Sequence, residues 1–402
     1  MNCRICQHSI TEFLSLGKMP LVNSFLTKDE LANESKYDLR VGFCSYCYLV
    51  QLMDTIDPEK LFKDYIYFSS TSSSFLKHCQ TTATELTDCL KLNKNSLVLE
   101  IASNDGAFLQ FFKKVGIKVL GIDPASNIAW MANQKGIETL PEFFNFQLAQ
   151  QLKDQGIKAD LVYGANVLAH VPEIIDFVKG VEAILKPAGT AVFEFPYLQG
   201  LMEKKFDIIY HEHVFYYSLL ALKNLFAKAD LEIYDVNIIP LQGGSLQIFV
   251  ARRGEFKVTD KVQKLVAREQ QLQFDKLITY QKISEDISLL KNELIELLDK
   301  IKKDGKTVAA YSAPAKGNIL LNYFGIDDNY LEFIVDKSKE KQGLYTPGTH
   351  LLVQSLDKID QMSPDYLLVL CWNIADEIRA DLDYYHQAGG RLIIPLPQPK
   401  II

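Results

Sequence analysis

No stretch of the chain is apolar for long enough to cross a bilayer, and Met1 does not open a charged-then-apolar leader segment. Basic charge is not in excess either: 43 Lys and Arg stand against 50 Asp and Glu, a net charge of −7. A membrane partner is therefore not expected, and a general nucleic-acid binder is disfavoured. A local basic pocket for a small phosphorylated molecule remains compatible with that balance. Low-complexity segments are absent, and nothing in the residue pattern specifies an oligomeric state. What is present is ordinary for a folded globular protein, with 48% apolar and 23% charged residues. At 402 residues the chain is too long for one core, which implies two or three domains, and the lack of a spanning run or leader pattern reads as a cytoplasmic setting.

Cysteine is sparse but not scattered at random. Of seven residues, Cys3/Cys6 and Cys44/Cys47 form two C-x-x-C pairs, whereas Cys79, Cys89 and Cys371 stand alone. An odd count with tight pairs in an unexported chain favours a metal over disulfides. Four thiolates from two such pairs close a tetrahedral zinc site with no open position, as structural zinc requires. A redox dithiol would need only one pair. The residues between the pairs are turn-forming and polar, with few long apolar stripes, so this module (residues 1–65) is expected to depend on its zinc staple.

Residues 66–253 alternate strand and helix patterns. Ser96–Ile101 is an apolar strand, Ala102–Gly106 a polar turn, Ala107–Val115 a helix, and Lys118–Asp123 a second strand ending in an acid. Asp160–Tyr163 and Thr190–Glu194 are further strands, and this alternation predicts a mostly parallel, Rossmann-like doubly wound sheet. Residues 254–402 begin with long helical segments, in which Ile283, Ile287, Leu290, Leu294, Leu298 and Ile301 recur at helical spacing. Strands at Val308–Tyr311, Phe333–Asp336, Tyr366–Leu370 and Arg391–Ile394 then indicate a second, smaller α/β unit.

The first βα turn is poor in glycine. A pyrophosphate at a helix N-terminus calls for G-x-G-x-x-G, yet only Gly106 is present, and the turn carries the carboxylates of Glu100 and Asp105. Negative side chains repel a dinucleotide but suit S-adenosylmethionine, with its ammonium and sulfonium. Asn104 completes the turn, Asp123 is spaced to accept from the ribose hydroxyls, and Phe144 follows the third strand where adenine can pack. An NAD-dependent oxidoreductase is the disfavoured rival.

Four proton-active side chains in succession, Tyr210-His211-Glu212-His213, follow the strand that ends near Glu194. Methylating carbon requires a carbanion equivalent, which a positioned base produces next to a ketone if the enolate oxygen is stabilised. Histidine suits the base role. In an extended loop Tyr210 and Glu212 would share one face and His211 and His213 the other, whereas a turn would bring them together. Asn166 and His170 either contact substrate or cap the next helix. His8, His78, His350 and His386 are isolated and read as structural or exposed. An aromatic cluster, Tyr65 to Ser70, lies at a domain junction, where pockets commonly form.

These motifs, together with Tyr311-Ser312-Ala313-Pro314-Ala315-Lys316-Gly317 and Gly343–Gly348, resemble the sugar C-methyltransferases that act on nucleotide-linked 4-keto-deoxyhexoses. The resemblance implies a zinc-binding N-terminal domain, a central S-adenosylmethionine domain, and a C-terminal domain that helps hold the nucleotide. It makes His213 the general base that removes the proton at C3, with Tyr210 and Glu212 in the same constellation. A further tyrosine, Tyr67 or its strand-mate Tyr65, completes that constellation, and Lys316 either neutralises phosphate or is a surface lysine. The chain departs from the family at Ala102, where glycine is common. Alternatives are an O- or N-methyltransferase for small molecules, which needs no enolate, and a zinc-ribbon protein that binds a macromolecule.

Overall fold

The computed structural model describes residues 1–62, 68–71, 73–239 and 244–402. These build three sheets. The N-terminal one contains β1 (Thr11–Pro20), β2 (Lys36–Phe43) and β3 (Val50–Leu52), all antiparallel. Two register shifts bend β1, so its buried residues do not alternate strictly. That irregularity is why no apolar stripe is visible in the sequence. The module nonetheless has a core: Phe13, Leu16, Leu39, Val41, Phe43 and Val50 are buried, and Phe13 and Phe43 pack on Tyr280, with ring centroids 5.3 and 4.5 Å away. Part of this core is therefore supplied by a distant helix.

The central sheet is made of β4 (Leu97–Ile101), β5 (Lys118–Ile122), β6 (Thr139–Leu140), β7 (Ala159–Ala165) and β8 (Leu185–Pro196), all parallel. After β8 the chain enters β9 (Phe215–Tyr216), which leaves this sheet and pairs antiparallel with β3 of the N-terminal module. The hairpin β10 (Leu231–Ile239) and β11 (Ser245–Arg252), unnoticed in the sequence, then extends the central sheet, β11 lying antiparallel to β8. The resulting order is β10-β11-β8-β7-β4-β5-β6. The chain reverses its winding between β4 and β7, which opens a crevice at their carboxyl ends, the usual ligand site of such sheets. β4 is buried along nearly its whole length, Glu100 included, because both faces are covered, as in a central parallel strand.

The helix Leu277–Lys303 buries Tyr280, Ile283, Ile287, Leu290, Leu294, Leu298 and Ile301 on one stripe, the i, i+3/i+4 pattern that predicted it. It leads to β12 (Val308–Tyr311), β13 (Ile334–Val335), β14 (Val353–Gln354), β15 (Tyr366–Val369), β16 (Arg391–Ile394) and β17 (Lys400–Ile401). Their order is β14-β13-β12-β15-β16-β17, parallel except for β17. The chain thus has the α/β class expected, with two doubly wound sheets and a small cysteine-bearing module. Among the described residues no helix is long and apolar enough to cross a membrane.

Candidate active site

At the N-terminus, two tight turns bring the Sγ atoms of Cys3, Cys6, Cys44 and Cys47 within 4.8 Å of one another. Cys3 and Cys47 are 3.3 Å apart, and Cys6 and Cys44 3.4 Å. A tetrahedral zinc with Zn–S bonds of about 2.3 Å needs sulfurs roughly 3.8 Å apart, so a small expansion admits it. Hydrogen bonding from Cys47 pulls the Cys3 thiol down to about 5, against the burial that opposes it. The closed four-sulfur set fits a structural ion.

A cavity of about 1750 Å³ lies where the three sheets meet. One wall is the turn after β4. Ala102 and Asn104 adopt left-handed conformations (φ 57° and 48°), which fold the backbone back on itself. Asn104 is held by the Ser69 N–H on its Oδ1, and its own N–H donates to Asp123 Oδ2 at 2.9 Å. The other Asp123 oxygen accepts from the Ala125 N–H. Glu100, Asn104, Asp123 and Phe144 all line the cavity, and Phe144 is braced edge-on by Phe177. Glu100 Oε2 is buried without a hydrogen-bond partner. Burial, then the negative neighbours Asp123, Asp105 and Glu194, push its carboxyl well above the usual range. An orphaned acid in a negative pocket is satisfied by a cation, and S-adenosylmethionine brings one.

Asp105 and Gly106 are placed differently from the expectation. Neither lines the cavity. Asp105 Oδ2 is bound by the Ser70 hydroxyl and by Lys135 Nζ at 2.7 Å, which turns it behind the wall. Gly106 (φ 78°) is required by packing, because a Cβ there would come within 2.9 Å of Ile137 Cγ1. Both shape the turn from behind.

The opposite wall is the Tyr210–His213 segment. It is a turn, closed by the His213 N–H on the Tyr210 carbonyl at 2.9 Å. Three of its four side chains therefore face the cavity. His211 does not; it is buried edge-on against Tyr37 of β2. His213 Nδ1 donates to the Ile208 carbonyl at 2.8 Å, which fixes the tautomer, and Tyr210 Oη donates to Nε2 at 2.8 Å. Burial, aided by nearby Lys316, lowers His213 to about 4, so the ring is neutral at pH 7. Glu212 Oε1 accepts from Asn23 Nδ2 at 2.6 Å. Burial raises its carboxyl to about 7, against the pull of that bond.

Asn166 and His170 also line the cavity, and neither caps the following helix, whose N-cap is Glu173. His170 stands edge-on to His213, 4.8 Å between centroids, and burial keeps it neutral. Asn166 is held in a left-handed conformation (φ 54°) by its N–H to the Glu194 carbonyl. Tyr65 and Tyr67 lie outside the described residues. His78, read as structural or exposed, meets Glu194 at 2.7 Å, and that contact raises it. Gln247 donates to the other Glu194 oxygen.

The C-terminal lobe closes the cavity with Lys316, Lys337, Lys339 and Lys341. Lys316 donates to Asn373 Oδ1 at 2.8 Å and lies 5.2 Å from the Trp372 ring centre. Trp372 Nε1 in turn donates to the buried Asp207, one residue before the carbonyl that orients His213. Asp336, at the end of β13, accepts from Ser312 Oγ and the Ala313 N–H, much as Asp123 accepts from Asn104. Asn23, Trp372 and Asp207 carried no sequence signal, because each acts through a partner far along the chain.

Comparison with known proteins agrees region by region. Residues 3–62 match a family described as a zinc binding domain, 75–236 a methyltransferase domain, and 240–397 a C-methyltransferase C-terminal domain. The C-methyltransferase NovU of Streptomyces niveus is 34% identical over 405 aligned residues, covering 100% of this chain and 96% of its own. Among solved structures, the magnesium protoporphyrin IX methyltransferase of Synechocystis PCC 6803 with bound SAH has a TM-score of 0.35 at 14% identity, covering 44% of this chain and 83% of that one. An S-adenosylmethionine-dependent methyltransferase from Clostridium acetobutylicum has 0.36 at 11%, covering 44% and 92%. The four-cysteine module, the methyltransferase sheet and the full-length match together make this chain a member of the C-methyltransferase family, an S-adenosylmethionine-dependent enzyme with a structural zinc site.

Proposed function

We propose that the enzyme methylates C3 of a nucleotide-activated 4-keto-deoxysugar through an enolate, in deoxysugar biosynthesis. The observation that carries this reading is His213. Its ring is neutral, its Nδ1 is committed to a backbone carbonyl, and its unprotonated Nε2 is turned to a tyrosine hydroxyl at the cavity wall. O- or N-methylation of an already nucleophilic acceptor needs no such base.

Glu100 and Asp123 would hold the amino acid and ribose ends of S-adenosylmethionine, with Phe144 beside the adenine. When bound, the donor supplies an electrophilic methyl group. The lysines of the C-terminal lobe suit a pyrophosphate. The Tyr210 hydroxyl masks Nε2 until a ketone oxygen takes its hydrogen bond. That transfer unmasks the base and stabilises the enolate oxygen in one motion. His213 Nε2 then accepts the C3 proton, and the Ile208 carbonyl supports the imidazolium through Nδ1–H. Tyr67, with Tyr65 as the alternative, is retained as a second donor to the enolate on the strength of the family resemblance alone. Three domains, 1–65, 66–253 and 254–402, share this work.

The test is mass spectrometry of a nucleoside-diphosphate 4-keto-6-deoxyhexose incubated in deuterated water with and without S-adenosylmethionine. Deuterium uptake beside the ketone, and methyl gain when donor is present, are expected. His213→Asn should abolish the uptake while donor affinity stays within about two-fold. Methyl gain without loss of a carbon-bound hydrogen would overturn the reading in favour of an oxygen or nitrogen acceptor.

A further inference from the structure

The zinc module touches the Tyr210–His213 segment at two points and the residue that follows it at a third. His211 is buried against Tyr37 of β2. Glu212 accepts from Asn23. Immediately after His213, the Val214 carbonyl accepts from the Leu52 N–H at 2.8 Å, and β9 joins β3. Asn23 itself lines the cavity beside Leu21, Ser24 and Phe25. The residue before it is anchored from the other side: the Val22 carbonyl accepts from Asn318 Nδ2 at 2.8 Å in a buried contact. Asn318 lies on the helix Ala315–Phe324, two residues after Lys316. The Leu26 N–H and carbonyl also pair with Tyr345 of the C-terminal lobe.

We infer that the zinc module is a wall of the reaction site and that Asn23 is its acting residue, holding the Glu212 carboxyl so that its second oxygen meets a substrate hydroxyl. Asn23 is thus a positioning residue, set between the phosphate-facing helix and the carboxyl it orients. An amide suits the task. Its N–H fixes one carboxylate oxygen without contributing a charge, so the carboxyl keeps its ability to accept from a sugar hydroxyl. Other titratable groups near Glu212 are His170, which bonds its backbone carbonyl, and its segment neighbours Tyr210 and His213. The inference rests on the reading that Glu212 faces the sugar.

The test uses the full-length, zinc-loaded protein with the same nucleoside-diphosphate 4-keto-6-deoxyhexose. Asn23→Ala should lower the methyl-transfer kcat on the order of 10- to 100-fold, the worth of a hydrogen bond to a charged group. Zinc content and donor affinity should stay within about two-fold. An isotope-edited infrared titration of Glu212, referenced to Glu212→Gln, should move to higher pH, because the ionised form has lost its donor. The exchanged pair Asn23→Asp with Glu212→Gln restores a bond of reversed polarity and should recover at least about five-fold over Asn23→Asp alone. An unchanged Glu212 titration in Asn23→Ala would overturn the inference even if the sugar probe proves not to be a substrate. A kcat loss that only tracks zinc loss would overturn it equally. Absence of deuterium exchange in the wild-type enzyme sinks the C3 reading instead, and leaves the infrared result to judge Asn23.

Discussion

Replacing Glu212 with glutamine should stabilise the protein in a pH-dependent way. The carboxyl is 6% exposed, and among the described residues its one supporting side-chain hydrogen bond is from the Asn23 amide. Burial outweighs that contact and raises the group to about 7, against 4.5 for an ordinary glutamate. Between those values the folded state holds a proton that the unfolded chain has released. The contribution to stability is therefore full below about pH 4.5 and is lost as pH rises through 7. At about 1.36 kcal/mol per pH unit, roughly 2.5 units correspond to about 3 kcal/mol at pH 8. Glutamine keeps the oxygen that Asn23 binds but never ionises. Urea unfolding of donor-free, zinc-loaded protein should thus show Glu212→Gln more stable than wild type by about 3 kcal/mol at pH 8 and about 1 kcal/mol at pH 5. An equal gain at both pH values, or none at pH 8, would refute the reasoning. Activity should move the other way, since a destabilising carboxylate is kept for function.

Zinc analysis should find about one ion per chain, and Cys47→Ser should lose it, with protease cuts concentrated before residue 62; an intact, protease-resistant variant would contradict the closed four-thiolate site. Ala102→Gly should stabilise the protein by about 0.5–1 kcal/mol, because alanine at φ 57° carries a left-handed strain that glycine lacks. Donor affinity by calorimetry should change less than about two-fold; destabilisation would mean that the turn is held by more than its backbone.

Much of the scaffold was readable in the sequence because its signals are local. Strand Leu97–Ile101, its acid-bearing turn and the acid after Ile122 are neighbours in the chain and in space. So are the paired cysteines and the Tyr210–His213 segment. What escaped depends on contacts between distant residues. Asn23 and Glu212 are 189 positions apart, and Trp372 and Asp207 are 165. Asp105 was read as facing the donor because its position in the turn allows it; the ion pair with Lys135, set by the next helix, turns it away. Strand β1 was missed because its bulges break the period-two pattern, and β9 because two residues carry no period at all.

The pairing of β9 with β3 bears on how such a chain can be cut and recombined. A fragment ending near residue 65 would leave β3 with a bare edge, an invitation to pair with another copy. During synthesis the small sheet must wait for residue 216 before its last ladder closes, well after its cysteines have emerged. The N-terminal module is therefore not a cassette that can be traded between relatives by itself. A working chimera would have to carry residues 210–217 along with residues 1–62.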